Sequence, residues 1–260
     1  MAYVEQFADI FSPISIRGVL FLGWLATFVL LPVIREIWGS RGERAGTAAG
    51  VVASVLLVAG LMAPTHGFWA IAVIVGVPVL GWLSEFAGSR TGIPFGAYHY
   101  TNILQPQVGN VPALIPLAWL MMMPSSWAVG TILVPDRPVV QWLIAGAAFT
   151  SWDLFVDPQM VSQGYWVWKK KGAYAGIPLV NYLGWFIVAF AITAVYGLGS
   201  LVLPIDLVAS VSPAPFLAVF IATWFLQSVG HWFFWKLRTS AIVGFVGMGV
   251  FVVLVAIRLF

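Results

Sequence analysis

The sequence predicts an all-α fold, a polytopic transmembrane helical bundle of about eight spans with long Gly/Pro/aromatic-rich loops on its cytoplasmic side. Three observations carry that expectation. The 260 residues are 61% hydrophobic and only 8% charged, with a mean hydropathy of +0.98, whereas soluble domains carry about a quarter charged residues. Apolar runs long enough to cross a bilayer fill nearly the whole chain, which leaves no room for a separate soluble domain, so residues 1–260 are read as one integral membrane domain. Lys and Arg, finally, alternate between rich and poor loops along the chain.

A bilayer core needs roughly 20 apolar residues per helix. Such runs lie at about 18–37, 45–63, 68–87, 111–134, 139–157, 177–202, 214–235 and 240–259. Before the first, Val4, Phe7, Phe11 and Ile14 recur at helical spacing over residues 3–14, the pattern of a short interfacial helix. No cleavable signal is expected, because Glu5 and Asp9 stand where a basic n-region would be. Gly42, Gly46 and Gly50 repeat every four residues into the second run, a spacing that suits close helix packing. "GFVGMG" at 244–249 lies inside the last run, where it too reads as packing and not as a nucleotide fingerprint.

Counting basic residues by side fixes an orientation. Arg35, Arg41, Arg44, Arg90, Lys169, Lys170, Lys171, Lys236 and Arg238 fall on one side; Arg17, Arg137 and Arg258 fall on the other. The positive-inside rule puts the first group in the cytoplasm of a multi-pass cell (inner) membrane protein, with both termini outside. The pI near 9.3 thus reflects topology, and no nucleic-acid partner is expected. The absence of cysteine excludes disulfides, thiolate metal sites and a cysteine nucleophile. No two histidines have ligand spacing on one helix, since His66 falls on the far side and His99 in a loop, so no metal site is expected.

The same orientation gathers the polar chemistry at one face. Glu85 closes the third run, Asp153 and Asp157 close the fifth, and His231 lies a turn from the end of the seventh. Asp153 and Asp157, at i and i+4, share a helix face. Asp157, beside Pro158, is open to a plain account as a carboxylate at the water boundary where proline stops the helix. Asp153 is a full turn deeper, between Trp152 and Leu154, and an ionisable residue at that depth is by default a functional one. Two carboxyls together in a dry setting favour one shared proton, which makes the pair a proton donor near neutral pH. Glu85 allows an ion pair with Arg90 as well as an active role. His231, on a face with Gln227 and Trp224, allows a purely structural role as well as an active one.

The loops 91–119 and 164–185 are rich in Gly, Pro, Tyr and Trp. An interfacial aromatic belt accounts for some of these residues. The Gly and Pro content points further, to backbone folded back to line a cavity, and its aromatic faces suit a developing cation.

Five motifs then stand in order: P-F-G-x-Y-x-Y-T (Pro94 to Thr101), I-P-x-x-W (Ile115 to Trp119), W-D-x-x-x-D-P-x-M (Trp152 to Met160), G-x-W-x-W (Gly164 to Trp168) and G-I-P-L-x-N-x-x-G-W (Gly176 to Trp185). Together they resemble the carotenoid hydratase family, the bacterial carotenoid 1',2'-hydratases and the related archaeal bisanhydrobacterioruberin hydratases. The resemblance runs from about Trp82 to Trp185. Tyr182 and Ala175 depart from the residues commoner there, which bears on substrate choice and not on reaction type.

The resemblance implies addition of water across the terminal C=C of an acyclic or monocyclic carotenoid, giving a tertiary alcohol without a redox cofactor. Its partners would be a membrane-dissolved carotenoid, water, the lipid bilayer and other carotenoid-pathway enzymes. On this basis Asp153 is expected to be the acid, Asp157 to share its proton, and Glu85 to position and deprotonate the water, with the acid and base roles interchangeable. Tyr98, Tyr100, Trp152, Trp166, Asn181 and His231 are expected to shape the substrate pocket. A lycopene-type cyclase shares the protonation step, and a proton-coupled transporter also carries intramembrane carboxylates; a transporter site, however, belongs near mid-bilayer.

Overall fold

In lipid the backbone has no hydrogen-bond partner but itself, and the chain answers with helices. The computed structural model describes residues 12–13, 15–202 and 212–260, without the side chains of 63–68 and 200–202. The interfacial helix expected over 3–14 and the side chain of His66 therefore lie outside the described residues.

Helix α1 (Ile16–Thr91) starts at Ser15, whose hydroxyl accepts from the Gly18 N–H at 2.9 Å, and ends at Gly92 in the left-handed conformation. At 1.5 Å per residue its first 47 residues would reach about 70 Å, more than twice a bilayer core. They fold over instead. Gly39 has φ +57°, a conformation that glycine alone adopts cheaply, and beyond it the chain runs back along itself. Trp24 donates to Ser54 at 2.9 Å, while Leu31 and Ile34 press against Gly46 and Gly42. Gly42 and Gly46 thus serve close packing, and the runs 18–37 and 45–63 are two passes of one hairpin. A third limb, 69–91, brings Glu85 back to the end of the bundle that holds Glu43, so the chain reverses again between Met62 and Trp69.

Five further spans follow: α2 (Leu114–Leu133), α3 (Pro138–Ser162), α4 (Leu179–Val202), α5 (Pro213–Val229), which runs on into a π-helical turn, Gly230–Phe234, and α6 (Arg238–Leu259). With the two parts of α1, Ile16–Met62 and Trp69–Thr91, counted separately, seven helical segments among the described residues are long and apolar enough to cross a membrane, and the hairpin of the first brings the passes to eight. Helix α2 is the most enclosed and packs on α1, α3 and α5. Outward faces carry exposed Val29, Leu56, Val75, Leu198 and Val253, the surface that lipid covers. Gly244 and Gly247 let α6 approach Phe155 and Leu154 of α3.

Pro158 does not end α3, contrary to the sequence expectation; the helix runs on to Ser162. Proline removes the N–H that would bond the Leu154 carbonyl. That carbonyl accepts instead from the Tyr174 hydroxyl at 2.7 Å and the Ser240 hydroxyl at 3.0 Å. Two side chains replace one amide, and Asp157 stays on the same regular helix as Asp153.

The bundle also carries a little sheet that hydrophobic periodicity did not foresee. Strand β1 (Tyr98–Tyr100) pairs antiparallel with β4 (Trp166–Trp168), joining Tyr98 to Trp168 and Tyr100 to Trp166. A second pair, β2 (Gln107–Val108) and β3 (Val111–Pro112), is closed by Gly109 and Asn110, both with positive φ, as a tight hairpin requires.

Candidate active site

The β1–β4 ladder lies across the ends of α1, α3 and α4 and brings three carboxyls from two helices into one buried cluster. Glu85 is 3% exposed, Asp157 2% and Asp153 0%. A buried carboxyl must be met by donors or by a proton, and the two stations solve this differently.

Glu85 is met by donors. Its Oε2 accepts from the Tyr98 hydroxyl and from the Tyr100 hydroxyl at 2.7 Å, and its Oε1 from the Trp119 indole at 3.3 Å. Burial first, and the charge of Glu85 second, push both phenols well above their ordinary range, so both stay neutral donors. The ion pair with Arg90 that the sequence allowed is not formed. Arg90 lies 3.6 Å over the Phe86 ring and donates to the Gly109 carbonyl at 3.1 Å.

The aspartates share one amide. Asn181, in the first turn of α4, donates from Nδ2 to Asp153 Oδ2 at 3.0 Å and to Asp157 Oδ2. Asp157 Oδ1 accepts from the Trp166 indole at 3.0 Å. Asp153 Oδ1 is buried and accepts from no N–H or O–H. A buried carboxyl oxygen with no donor to meet it is the place for a proton.

A cavity of about 30 Å³ separates Glu85 from Asp157, room for a water or two. Tyr98, Tyr100, Trp152, Trp166 and Asn181 all line it; Asp153 does not. Aromatic faces close it: Trp185, a lining residue, stacks on Trp119 at 4.7 Å and 13°. Across five shared residues (Ile115, Ala118, Trp152, Val156 and Trp166) lies a second, larger cavity of about 110 Å³ with almost wholly apolar walls.

His231 lines neither cavity. Its Nδ1 lies 2.8 Å from the Gln227 carbonyl and its Nε2 3.0 Å from the Phe155 carbonyl, so it braces α3 between the two aspartates. Trp119, Trp168 and Trp185 were left out of the expected site, although each stands in a motif quoted above; the tryptophans of I-P-x-x-W, G-x-W-x-W and the closing G-W were the available signal.

The family model described as carotenoid biosynthesis protein matches residues 45–253. The chain belongs to this family. No curated protein and no solved structure matches it. Membership in the carotenoid biosynthesis protein family gives this membrane protein a biosynthetic role in carotenoid metabolism. The match takes in all three carboxyls, Asn181 and the ladder, and leaves the first limb of α1 outside.

Proposed function

We propose that this carotenoid biosynthesis protein is a hydratase that needs no cofactor and adds water across the terminal C=C of a membrane-dissolved carotenoid. One observation carries the reading: Asp157, tied to Asp153 by the Asn181 amide, and a donor-held Glu85 line one water-sized cavity that adjoins an apolar one. An unactivated trisubstituted alkene accepts a proton at its less substituted carbon. The π electrons form the new C–H bond and leave a tertiary cation. Asp157, which lines the cavity, is the donor in this reading, and Asp153 supplies the proton from behind. This reverses the order of the two aspartates expected from sequence.

Trp152, Trp166, Trp168 and Trp185 offer π faces to the cation. Glu85, fixed by three donors, is a preorganised negative charge beside the same space. Water adds to the cation, its extra proton passes to Glu85, and that proton returns across the cavity to the aspartate pair. The sum is one water added and an enzyme restored, with no change of oxidation state. General acid catalysis of this kind contributes about 10²–10⁴-fold.

Expression in a lycopene-accumulating bacterium, followed by mass spectrometry of the pigments, tests the reading. A gain of one water is expected. An unchanged mass with altered absorption would mean that a neighbouring double bond captures the cation, as in a cyclase, and would overturn it.

A further inference from the structure

The reaction leaves the larger cavity without a role. Ligand sites are mostly apolar hollows with a few polar groups, and this one adjoins the carboxyl cavity through five shared residues. A 150 Å³ apolar cavity takes a benzene. By that scale 110 Å³ takes about one isoprene-sized group, far less than a whole carotenoid.

The wall away from the carboxyls comes from the α1 hairpin: Thr27, Phe28 and Leu31 on its first limb, Gly50 on its second. The Thr27 hydroxyl donates to the Trp24 carbonyl of its own helix at 2.7 Å, so it presents no free donor to the cavity. The family match begins at residue 45, so this first-limb wall belongs to a part of the chain the family does not specify. A Cβ on Gly50 would meet only Thr27, at 3.5 Å, an ordinary contact. The glycine is therefore not demanded by helix packing, and its effect is to leave space.

We infer that the larger cavity is a binding subsite for the isoprenoid segment next to the reacting double bond, its size set by Phe28, Leu31 and Gly50. The inference rests on the carotenoid reading of the site and adds what becomes of the rest of the substrate. Only the chain end enters, the remainder lies in lipid, and the protein reads the girth of the end and not the length of the chain.

The test uses protein purified in detergent from lycopene-accumulating cells, scored for lycopene retained per protein and for hydrated product. Gly50→Leu should retain at least tenfold less lycopene than the parent. Gly50→Ala, and Val52→Leu on the exposed face of the same limb, should stay within twofold. Should Gly50→Leu fail to accumulate in the membrane, Thr27→Leu brings the same bulk from the facing limb and is scored alike. The subsite is overturned if the parent retains no lycopene, if the Leu variant retains as much as the parent, or if Val52→Leu loses as much. Retention without product would sink the hydratase reading and leave the subsite standing; product with an indifferent Gly50→Leu would do the reverse.

Discussion

Asn181 ties Asp153 to Asp157: a single amide nitrogen donates to both carboxyls, from a helix that begins 22 residues after the second of them. The bridge sets the spacing of the pair and leaves the outer oxygen of each aspartate for another partner. Asn181→Ala should lower hydrated product by about 10²-fold, an effect on the order of two charge-assisted hydrogen bonds, with normal membrane accumulation. Asn181→Asp should do no better, since it adds a third acid and removes the N–H donors. Pigment mass spectrometry normalised to protein checks both, and near-parental turnover in either would refute the bridge.

Asp157 and Asp153 should separate in their effects. Asp157→Asn removes the cavity-facing donor and should cost about 10²–10⁴-fold in product formation. Asp153→Asn leaves that carboxyl in place and should cost less. The opposite ranking, measured in membranes with equal protein, would restore Asp153 as the donor.

Tyr98 and Tyr100 should make the fold alkali-sensitive. Their folded pKa values lie well above the ordinary 10.0, so the unfolded chain loses these protons first. The stability they confer is complete below about pH 10 and is lost as pH rises beyond it. Thermal melts in detergent between pH 8 and 11 should show the loss, and Tyr98→Phe should flatten the slope. Each Tyr→Phe also removes a donor from Glu85 and should slow turnover by about 10-fold or more.

The Leu154 carbonyl offers a cycle of substitutions. Tyr174→Phe strips it of one donor and should destabilise the protein by about 1–3 kcal/mol. Pro158→Ala restores the helical amide, so the double variant should recover much of that loss. Melting temperatures of the four proteins give the interaction directly; strict additivity would show that the hydroxyl does not substitute for the missing amide.

Much of this was legible in the residues because lipid makes the pattern strict. Apolar length marked eight passes, and the loss of water at depth singled out Asp153, Asp157 and Glu85. What escaped was set by contacts distant in sequence. Pro158 looked like a terminus because the two hydroxyls that satisfy Leu154 come from residues 174 and 240. Trp119 stood in the sequence only as the end of a motif, because the Glu85 carboxyl that it serves lies 34 residues away. The strands, three residues long at most, fall below any periodic signal.

The rung that joins Tyr100 to Trp166 carries a larger consequence. Tyr100 serves the glutamate and Trp166 serves the aspartates, so acid and base take their alignment from a single rung. Slipping the ribbon by one residue would turn both residues to the opposite face at once. Insertions and deletions between residues 101 and 165 are therefore tolerable only if they spare that alignment, and neither half of the machinery is free to drift without dragging the other along.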